Sequence, residues 1–330
     1  MTHSIQDRRA DRRVVLLTGA SVGVGLAIAR QLMKDDDGIH LVLTARAVSL
    51  DRFVELGITE SERLWLRALD ITDERQRRSV VREIEEVLGG VDTLINNAGI
   101  TYRTVAEYAT QAELKQQMVV NYEGPMALAA LVLPGMRRRR SGRIIQVSSA
   151  GGLVAMPTMG LYSASKFALE AASEAMHYEV RPFGVQVSLI LPGFVNSPGY
   201  KNSVVGRLSR QATENVGDPY HPHFKYMDGL IERMMMLTHA SPESVARRVV
   251  KTVYRRRAPL RVLATWDARL LWWFRRFMPQ PVYVWLTYRM LPGIRYWSET
   301  SYEASERQRH QRNATCDESA PAGRPGGPGT

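Results

Sequence analysis

The sequence predicts an α/β fold, in which a parallel β-sheet is the middle of three layers and helices form the outer two. Short apolar runs of strand length alternate along the chain with longer segments of helical period. A glycine-rich turn at residues 18–25 separates the first apolar run from the first helical segment. The length of 330 residues suits one such domain of about 250 residues with additional tails.

The elements follow one another in a regular order. Strands are predicted at residues 14–18, 39–45, 63–69, 91–95, 143–147, 185–191 and 260–264. Helices are predicted at residues 26–34, 73–88, 111–137 (interrupted at 121–125), 158–180 and from 241 onward. Ser241 followed by Pro242 is a good helix start, with serine as the N-cap. From about residue 198 to 240 the pattern loosens, and a lid over a substrate is expected there.

Tyr162 and Lys166 lie four residues apart, which places both side chains on one face of the predicted helix 158–180. A lysine ammonium favours the phenolate and lowers the pKa of the tyrosine. Bringing that pKa from about 10 towards 7 takes roughly 4 kcal/mol, which a partly buried lysine beside a second positive charge could supply. Tyr162 would then act as a general acid or base. Taken alone, the same spacing is also one turn of an ordinary helix.

Further motifs surround this pair. Ser149 ends an apolar run thirteen residues before Tyr162. The chain also carries T-G-x-x-x-G-x-G at residues 18–25, N-N-A-G at 96–99, N-x-x-G at 121–124 and P-G at 192–193. This order resembles the short-chain dehydrogenase/reductase family over about residues 12–200. The stretch 162–184 is similar to its hydroxysteroid/retinol dehydrogenase and 3-ketodihydrosphingosine reductase members.

The resemblance implies a Rossmann-type, doubly wound parallel sheet that binds a nicotinamide dinucleotide. It implies that Tyr162 transfers a proton to a carbonyl oxygen, and that Ser149 hydrogen-bonds the same oxygen. Lys166 would tune Tyr162 and hold the nicotinamide ribose, while Asn121 would keep a proton relay ordered. The residues expected to contact the cofactor are Thr18, Gly19, Ser21, Gly23, Val24, Gly25, Arg46, Asp70, Ile71, Asn97, Ala98, Gly99, Tyr162, Lys166, Pro192, Gly193, Val195 and Ser197. Asp70 would cap the adenine amino group; otherwise it would cap the helix 73–88.

Arg46, directly after the second strand, favours NADP(H) over NAD(H). An acidic residue here would bind the ribose hydroxyls of NAD, whereas an arginine can pair with a 2′-phosphate. The alternative is that Arg46 is only a solvated loop end. No metal is expected: His221 and His223 are separated by a proline, with no acidic or cysteine cluster nearby.

Residues 266–297 depart from the compact family pattern and contain five of the six tryptophans. They are expected to form a helical C-terminal extension of two short amphipathic helices, neither long enough to span a bilayer. On the first helix an aromatic and aliphatic stripe forms: Trp266, Leu270, Trp273, Phe274 and Phe277. We expect this extension to dock on a membrane surface near the lid. Alternatively, the stripe packs on the domain or forms a subunit interface.

Charge is concentrated towards the same end of the chain. Of a net charge of +11, residues 251–312 contribute thirteen Lys or Arg against four acids. Such basicity fits an anionic membrane surface or nucleic acid, or merely solvated helix faces; no nucleic-acid partner is expected. The only cysteine, Cys316, excludes an intramolecular disulfide and points to a reducing, cytoplasmic location, with peripheral membrane association.

The expected organisation is a flexible tail at 1–12, a catalytic domain at 13–265, the extension at 266–297 and a disordered tail at 298–330. The helix 162–180 carries more apolar residues than one buried stripe needs, which predicts a homodimer or larger assembly; the extension could cover that face instead. The expected function is interconversion of a hydrophobic ketone and its alcohol. Two alternatives remain: reduction of a small or acyl-carrier-bound carbonyl, and a nonenzymatic, redox-sensing or nucleic-acid-binding role.

Overall fold

The structure is a computed structural model that describes residues 12–34, 38–196 and 203–298. Residues 1–11 and 299–330 of the two predicted tails lie outside the described residues, as do Ser197 and Cys316. The strands are β1 (Arg13–Leu17), β2 (Ile39–Ala45), β3 (Leu64–Ala68), β4 (Thr93–Asn96), β5 (Tyr102–Arg103), β6 (Gly142–Val147), β7 (Val185–Leu191), β8 (Val204–Val205) and β9 (Arg261–Leu263). Seven of these form the central sheet of the described chain, all parallel, in the order β3-β2-β1-β4-β6-β7-β9.

A second, two-stranded parallel sheet pairs β5 with β8. The α-helices are α1 (Gly23–Lys34), α2 (Asp51–Glu55), α3 (Glu74–Leu88), α4 (Gln111–Met118), α5 (Gly124–Arg139), α6 (Gly160–Val180), α7 (Arg207–Glu214), α8 (His221–Leu237), α9 (Pro242–Tyr254), α10 (Trp266–Phe277) and α11 (Gln280–Met290). The predicted order of strands and helices is thus confirmed, with β2 and β7 at the predicted residues.

Successive residues of β1 belong to two different cores, because strand side chains alternate between the faces of a sheet. Leu17 packs into the cluster that contains Ile28 of α1 and Val249 of α9. Leu16 packs into the opposite cluster, with Ile84 of α3 and Leu128 of α5. All of these side chains are fully buried, so the sheet is covered on both faces as the three-layer prediction requires.

The predicted interruption of helix 111–137 is a π-helical segment, Val119–Glu123, between α4 and α5. Such segments widen the helix by one residue per turn and frequently lie at functional sites. Here the widened turn contains Asn121, which is completely buried. At the start of α3 the N-cap is Asp73, whose side chain accepts a hydrogen bond from the Gln76 amide. The alternative prediction that Asp70 caps this helix is therefore wrong.

The lid region is more regular than the sequence predicted, since α7 and α8 occupy most of residues 203–240. Thr104 and Ser209 hydroxyls lie 2.8 Å apart, and Glu113 accepts the Arg207 amide at 2.7 Å. The region predicted as a lid therefore rests on the segment that follows β4. Met236, at the end of α8, is 74% exposed. In the described ranges, no helix combines the length and apolarity that a bilayer crossing requires.

Candidate functional site

Ser149 and Tyr162 meet at the carboxyl end of β6. Ser149 follows that strand and accepts the Gly151 amide at 3.0 Å, while its hydroxyl also hydrogen-bonds Tyr162. A Cβ atom on Gly151 would lie 3.0 Å from Cε1 of the Tyr162 ring, which is tighter than ordinary van der Waals contact. Gly151 therefore fits the tyrosine closely. The sequence did not identify this glycine as part of the site.

In the chain alone, the pKa values of Tyr162 and Lys166 differ from those that the sequence predicts. Burial raises the pKa of Tyr162, and the hydrogen bond from Ser149 opposes that rise. Burial also lowers the pKa of Lys166 from 10.5 to about 8, with nearby Glu170 opposing the fall. The Lys166 ammonium donates to the Val147 carbonyl at 3.0 Å and lies 5.9 Å from the centre of the Tyr162 ring. Lys166 by itself therefore does not lower the pKa of Tyr162, because its ammonium donates a hydrogen bond to the Val147 carbonyl instead.

Asn121 is fixed in the π-helical turn by the backbone of Ile100. Its amide oxygen accepts the Ile100 N–H at 2.8 Å, and its amide nitrogen donates to the Ile100 carbonyl at 2.9 Å. The same nitrogen donates to the Ser165 hydroxyl at 3.0 Å. Ser165 in turn donates to the Tyr162 carbonyl at 2.7 Å. Asn121 is thereby linked to the helix that carries Tyr162 and Lys166, through a serine that sequence reasoning did not single out.

Glu170 and Arg261 are two further residues that the sequence did not reveal. Glu170 lies one turn after Lys166, is buried, and accepts the Ser148 hydroxyl at 3.0 Å. Arg261 of β9 donates to Glu170 at 3.1 Å and to Glu174 at 2.8 Å. Desolvation raises the pKa of Glu170, and the Arg261 pair opposes that rise. The last strand of the sheet is thereby bonded to the helix that carries Tyr162.

The glycine-rich turn is held by Thr18 and Asn97. The Thr18 hydroxyl accepts the amides of Asn97 and Ala98 at 3.0 and 3.1 Å. The Asn97 side chain donates to the carbonyls of Thr18 and Gly19, both at 3.1 Å. A Cβ atom on Gly25 would lie 2.0 Å from the Gly19 carbonyl oxygen, so only glycine allows α1 to start this close to the turn. Asn97 thus holds the turn through both its backbone N–H and its side-chain nitrogen.

The remaining predicted cofactor residues line the carboxyl edge of the sheet. Arg46 is exposed immediately after β2, and Ser21 is buried in the neighbouring turn, whose Ala20 amide bonds Thr44 of β2. Asp70 accepts both the amide and hydroxyl of Thr72, at 2.9 and 2.7 Å. Three others lie along the same edge: Gly23 with φ 56°, half-buried Val24, and Ile71, buried after β3. Gly99 lies beside Asn121 and Lys166: a Cβ there would be 3.3 Å from Oδ1 and 3.8 Å from Nζ.

The Pro192–Val195 segment is anchored by the beginning of the C-terminal extension. The Gly193 amide donates to the Thr265 hydroxyl at 2.9 Å, and the Phe194 amide donates to the Asp267 carboxylate at 2.7 Å. A Cβ on Gly193 would lie 1.9 Å from that carboxylate. Pro192 and Val195 are buried. The T-x-D sequence at 265–267 indicates a helix start, but it does not identify Gly193 and Phe194 as the partners.

The extension also reaches the lid. The Trp297 and His223 rings lie 4.2 Å apart, and Tyr226 stacks on Tyr296 at 5.8 Å. An ion pair between Asp228 and buried Arg103 of β5 also holds α8 against the second sheet. The His221 ring bonds the Ala212 carbonyl at 3.0 Å. Among the described residues no group of three or more His, Cys, Asp or Glu has a metal-binding arrangement.

The features of this edge fit a nicotinamide dinucleotide. The first turn of α1 contains no acidic residue that would repel a pyrophosphate, and its N-terminus faces the glycine-rich turn. That turn lies between β1 and β4, where the strand order reverses, which is the usual ligand position in a doubly wound sheet. Ser149, Tyr162 and Lys166 lie at the end of β6 beyond it. The arrangement can therefore hold a dinucleotide and offer a proton donor at its reactive end.

Comparison with known proteins agrees with this geometry. The family model described as "short chain dehydrogenase" matches residues 13–206. The chain is 34% identical to 3-ketodihydrosphingosine reductase of Bacteroides thetaiotaomicron, over 76% of this chain and 86% of that protein. It is 32% identical to Dehydrogenase/reductase SDR family member 7 of Homo sapiens, over 69% and 67%. A crystal structure of a short-chain dehydrogenase from Streptomyces avermitilis aligns with a TM-score of 0.67, 29% identity, and coverage of 83% and 96%.

Proposed function

Because the chain belongs to the short-chain dehydrogenase/reductase family, oxidoreductases of alcohol and ketone groups, we propose that it interconverts a hydrophobic ketone and its secondary alcohol with NADP(H). The observation that carries the proposal is the complete proton-transfer set at one point: Tyr162 bonded to Ser149, with Lys166 one turn on. A nonenzymatic relative would have no need of an intact set. The substrate class is a lipid, steroid-like or sphingoid-like ketone.

Each residue of the site has a separate role in the proposed reaction. A bound nicotinamide cofactor supplies the hydride that reaches the carbonyl carbon. Tyr162 gives its phenolic proton to the carbonyl oxygen, and Ser149 donates a hydrogen bond to that oxygen as its negative charge develops. Lys166 would hold the nicotinamide ribose of a bound cofactor, and its ammonium would help to stabilise the phenolate left behind. Asn121 and Ser165 keep the helix and the π-helical turn aligned so that a proton can be returned.

The preference for NADP(H) rests on Arg46. Its guanidinium is exposed beyond β2, and no carboxylate of the described chain forms an ion pair with it. A 2′-phosphate at the adenosine ribose would provide that partner in a charge-assisted contact. Buried Ser21 in the adjacent turn would add a hydroxyl donor. The same edge offers no acidic side chain directly after β2 for the hydroxyls of NAD.

The hydrophobic substrate and the membrane surface are supported by the outer face of α10. Trp266, Leu270, Trp273 and Phe277, named here the aromatic stripe, are each more than half exposed. The spacing of these residues places them on one side of the helix. Such a row rarely faces water without a partner. We assign it to the headgroup level of a bilayer, from which an apolar ketone could enter beneath the lid.

A homodimer is proposed on the outer face of α6. Phe167, Ala171 and Ala175 are exposed there along one stripe, which a second copy could cover. Leu169 on the same helix is 1% exposed and belongs to the chain's own core, so it does not contribute to this face.

The experiment is a turnover assay of the purified chain with NADPH and a ketone panel, followed by mass spectrometry of co-purifying lipids. Long-chain and sphingoid ketones should be reduced with a higher kcat/KM than short soluble ketones. A preference for a small or acyl-carrier-bound carbonyl would instead favour the second function. If no carbonyl is reduced and no alcohol oxidised by a chain that binds NADPH, the nonenzymatic role replaces the proposal.

A further inference from the structure

A cleft of about 380 Å³ lies between α9, β9 and α10, and its charged lining is wholly basic. The cationic side chains are Arg248, Lys251 and Arg255 on α9, Arg261 on β9 and Arg269 on α10. Trp272 and Trp273 form an aromatic wall, and no Asp or Glu is among the lining residues. None of the candidate catalytic or cofactor residues lines it either, so this cleft is distinct from the site around Tyr162.

The charges of the cleft are largely uncompensated. Arg261 is paired with Glu170 and Glu174. For the other four cations, no carboxylate in the described ranges comes within ion-pair distance. Like charges that converge on one cleft repel each other, and an anion between them would relieve that repulsion. Arginine prefers phosphate for this purpose, because its planar fork can donate two parallel hydrogen bonds to the oxygens.

The aromatic stripe next to the cleft indicates which class of phosphate-bearing ligand fits best. Trp273 lines the cleft and is also the third member of the stripe, so the basic cleft opens directly onto an apolar, exposed helix face. A free phosphate would use only the cleft. A nucleic acid needs a continued basic track, which an apolar face does not offer. A phospholipid matches both parts, with its phosphate among the cations and its acyl region along the stripe.

We propose that this cleft binds the phosphate headgroup of an anionic membrane lipid and thereby orients the extension on the bilayer. The inference rests on the membrane docking assigned above, to which it adds a lipid class and a site. It differs from general attraction of a basic protein to an anionic surface, because three of the cations lie on α9, outside the extension. Removing those three should therefore matter more than removing three other surface charges.

The test is co-sedimentation of the full chain with phosphatidylcholine vesicles, with and without about one fifth phosphatidylglycerol. The variant R248Q/K251Q/R255Q removes three cations of the cleft. The control R75Q/R82Q/R138Q removes three exposed arginines from α3 and α5. At about 1 kcal/mol per charge, the cleft variant should bind the anionic vesicles about a hundredfold more weakly, while the control should lose much less. Thermal unfolding and NADPH affinity verify that both variants are folded.

Several outcomes would overturn the site. Equal losses in the two triple variants would mean attraction by net charge only. If the cleft variant binds anionic vesicles like wild type while L270S/W273S loses binding, the stripe alone docks on the membrane. That result would reject the headgroup site. Titrations with inorganic phosphate and with a single-stranded oligonucleotide test the other sources: tight binding of either through the cleft, without vesicle binding, also rejects the lipid. Turnover of a soluble ketone, measured separately, shows whether the proposed enzymatic function stands regardless of the vesicle result.

Discussion

At the scale of single residues, the Tyr162 hydroxyl carries the most direct test of the proposed chemistry. Tyr162→Phe keeps the ring that packs against Gly151 and removes only the hydroxyl that Ser149 bonds. We expect kcat to fall at least about a hundredfold, the usual contribution of a general acid, with NADPH affinity nearly unchanged. Tyr178→Phe, on the exposed side of the same helix, is the matched control and should retain full activity. If the Tyr162→Phe variant retains more than about a hundredth of the wild-type rate, Tyr162 is not the acid.

Arg46 is the residue on which the proposed preference for NADP(H) rests. Arg46→Asp should weaken NADPH binding by about 1.5–3 kcal/mol, the value of a charge-assisted hydrogen bond, and should leave NADH much less affected. Fluorescence titration with both cofactors measures the two affinities. Arg52→Asp, another exposed arginine shortly after it, controls for the change of net charge. Equal losses for the two cofactors would mean that Arg46 is only a solvated loop end.

At the scale of elements, the start of α10 holds the loop at the end of β7. Asp267→Ala would leave the Phe194 amide without its 2.7 Å acceptor and open space beside Gly193. We expect the KM for NADPH to rise about tenfold, the equivalent of one lost hydrogen bond to a charged group, with a smaller change in kcat. Asp267→Asn keeps an oxygen acceptor and should restore most of the affinity. If Ala and Asn variants both bind NADPH like wild type, the anchor has no role in cofactor binding.

The same contact affects how the extension can be removed. A chain ending at Thr265 would lack Asp267 as well as the aromatic stripe, so loss of activity would not report on membrane docking. Substitutions on the exposed stripe separate the two effects, because Leu270 and Trp273 lie on the outer side of α10 while Asp267 is buried.

The pairing of β2 with β3 buries a histidine that should make stability depend on pH. His40 packs edge-on against Trp65 at 5.0 Å, and burial, with Arg12 and Arg67 nearby, lowers its pKa from 6.5 to about 4. Between these values the unfolded chain binds more protons than the folded chain, so the free energy of unfolding falls as pH falls through this window. The contribution lost is about 2–3 kcal/mol.

His40→Phe keeps an edge-on ring and removes the titrating group. Urea unfolding of the variant between about pH 7 and 4 should show a shallower loss of stability than wild type, by up to about 2–3 kcal/mol. His239→Phe, at an exposed position, should follow the wild-type curve. Parallel curves for wild type and His40→Phe would show that His40 does not titrate abnormally.

At the scale of the whole molecule, sequence patterns predicted what local chemistry determines. The succession of strands and helices along the chain, the glycine turn and the position of Asn121 in a broken helix follow from periodicity and propensity. The contacts of Glu170 with Arg261, and of Asp267 with Phe194, join residues 91 and 73 positions apart. No local pattern marks such a pair, because each partner alone looks like an ordinary charged helix or strand residue. The sequence did not predict α7 and α8 for a similar reason: their contacts with Glu113, Thr104 and Arg103 join them to residues far earlier in the chain.

The exposed face of α6 gives the last prediction, which concerns assembly. Phe167, Ala171 and Ala175 lie along one side of the helix and are open to solvent in the single chain. An isologous contact would place each of these residues close to its counterpart, so A171R/A175R would oppose like charges across the axis. We expect wild type to have the mass of a dimer by light scattering at micromolar concentration, and this variant that of a monomer. Ala112→Arg, at an exposed position of α4, should remain dimeric.

The alternative occupant of this face is the extension: Phe167 and Ala171 already share a cleft with Trp272 and Arg275. A monomeric mass for the wild type would reject the dimer.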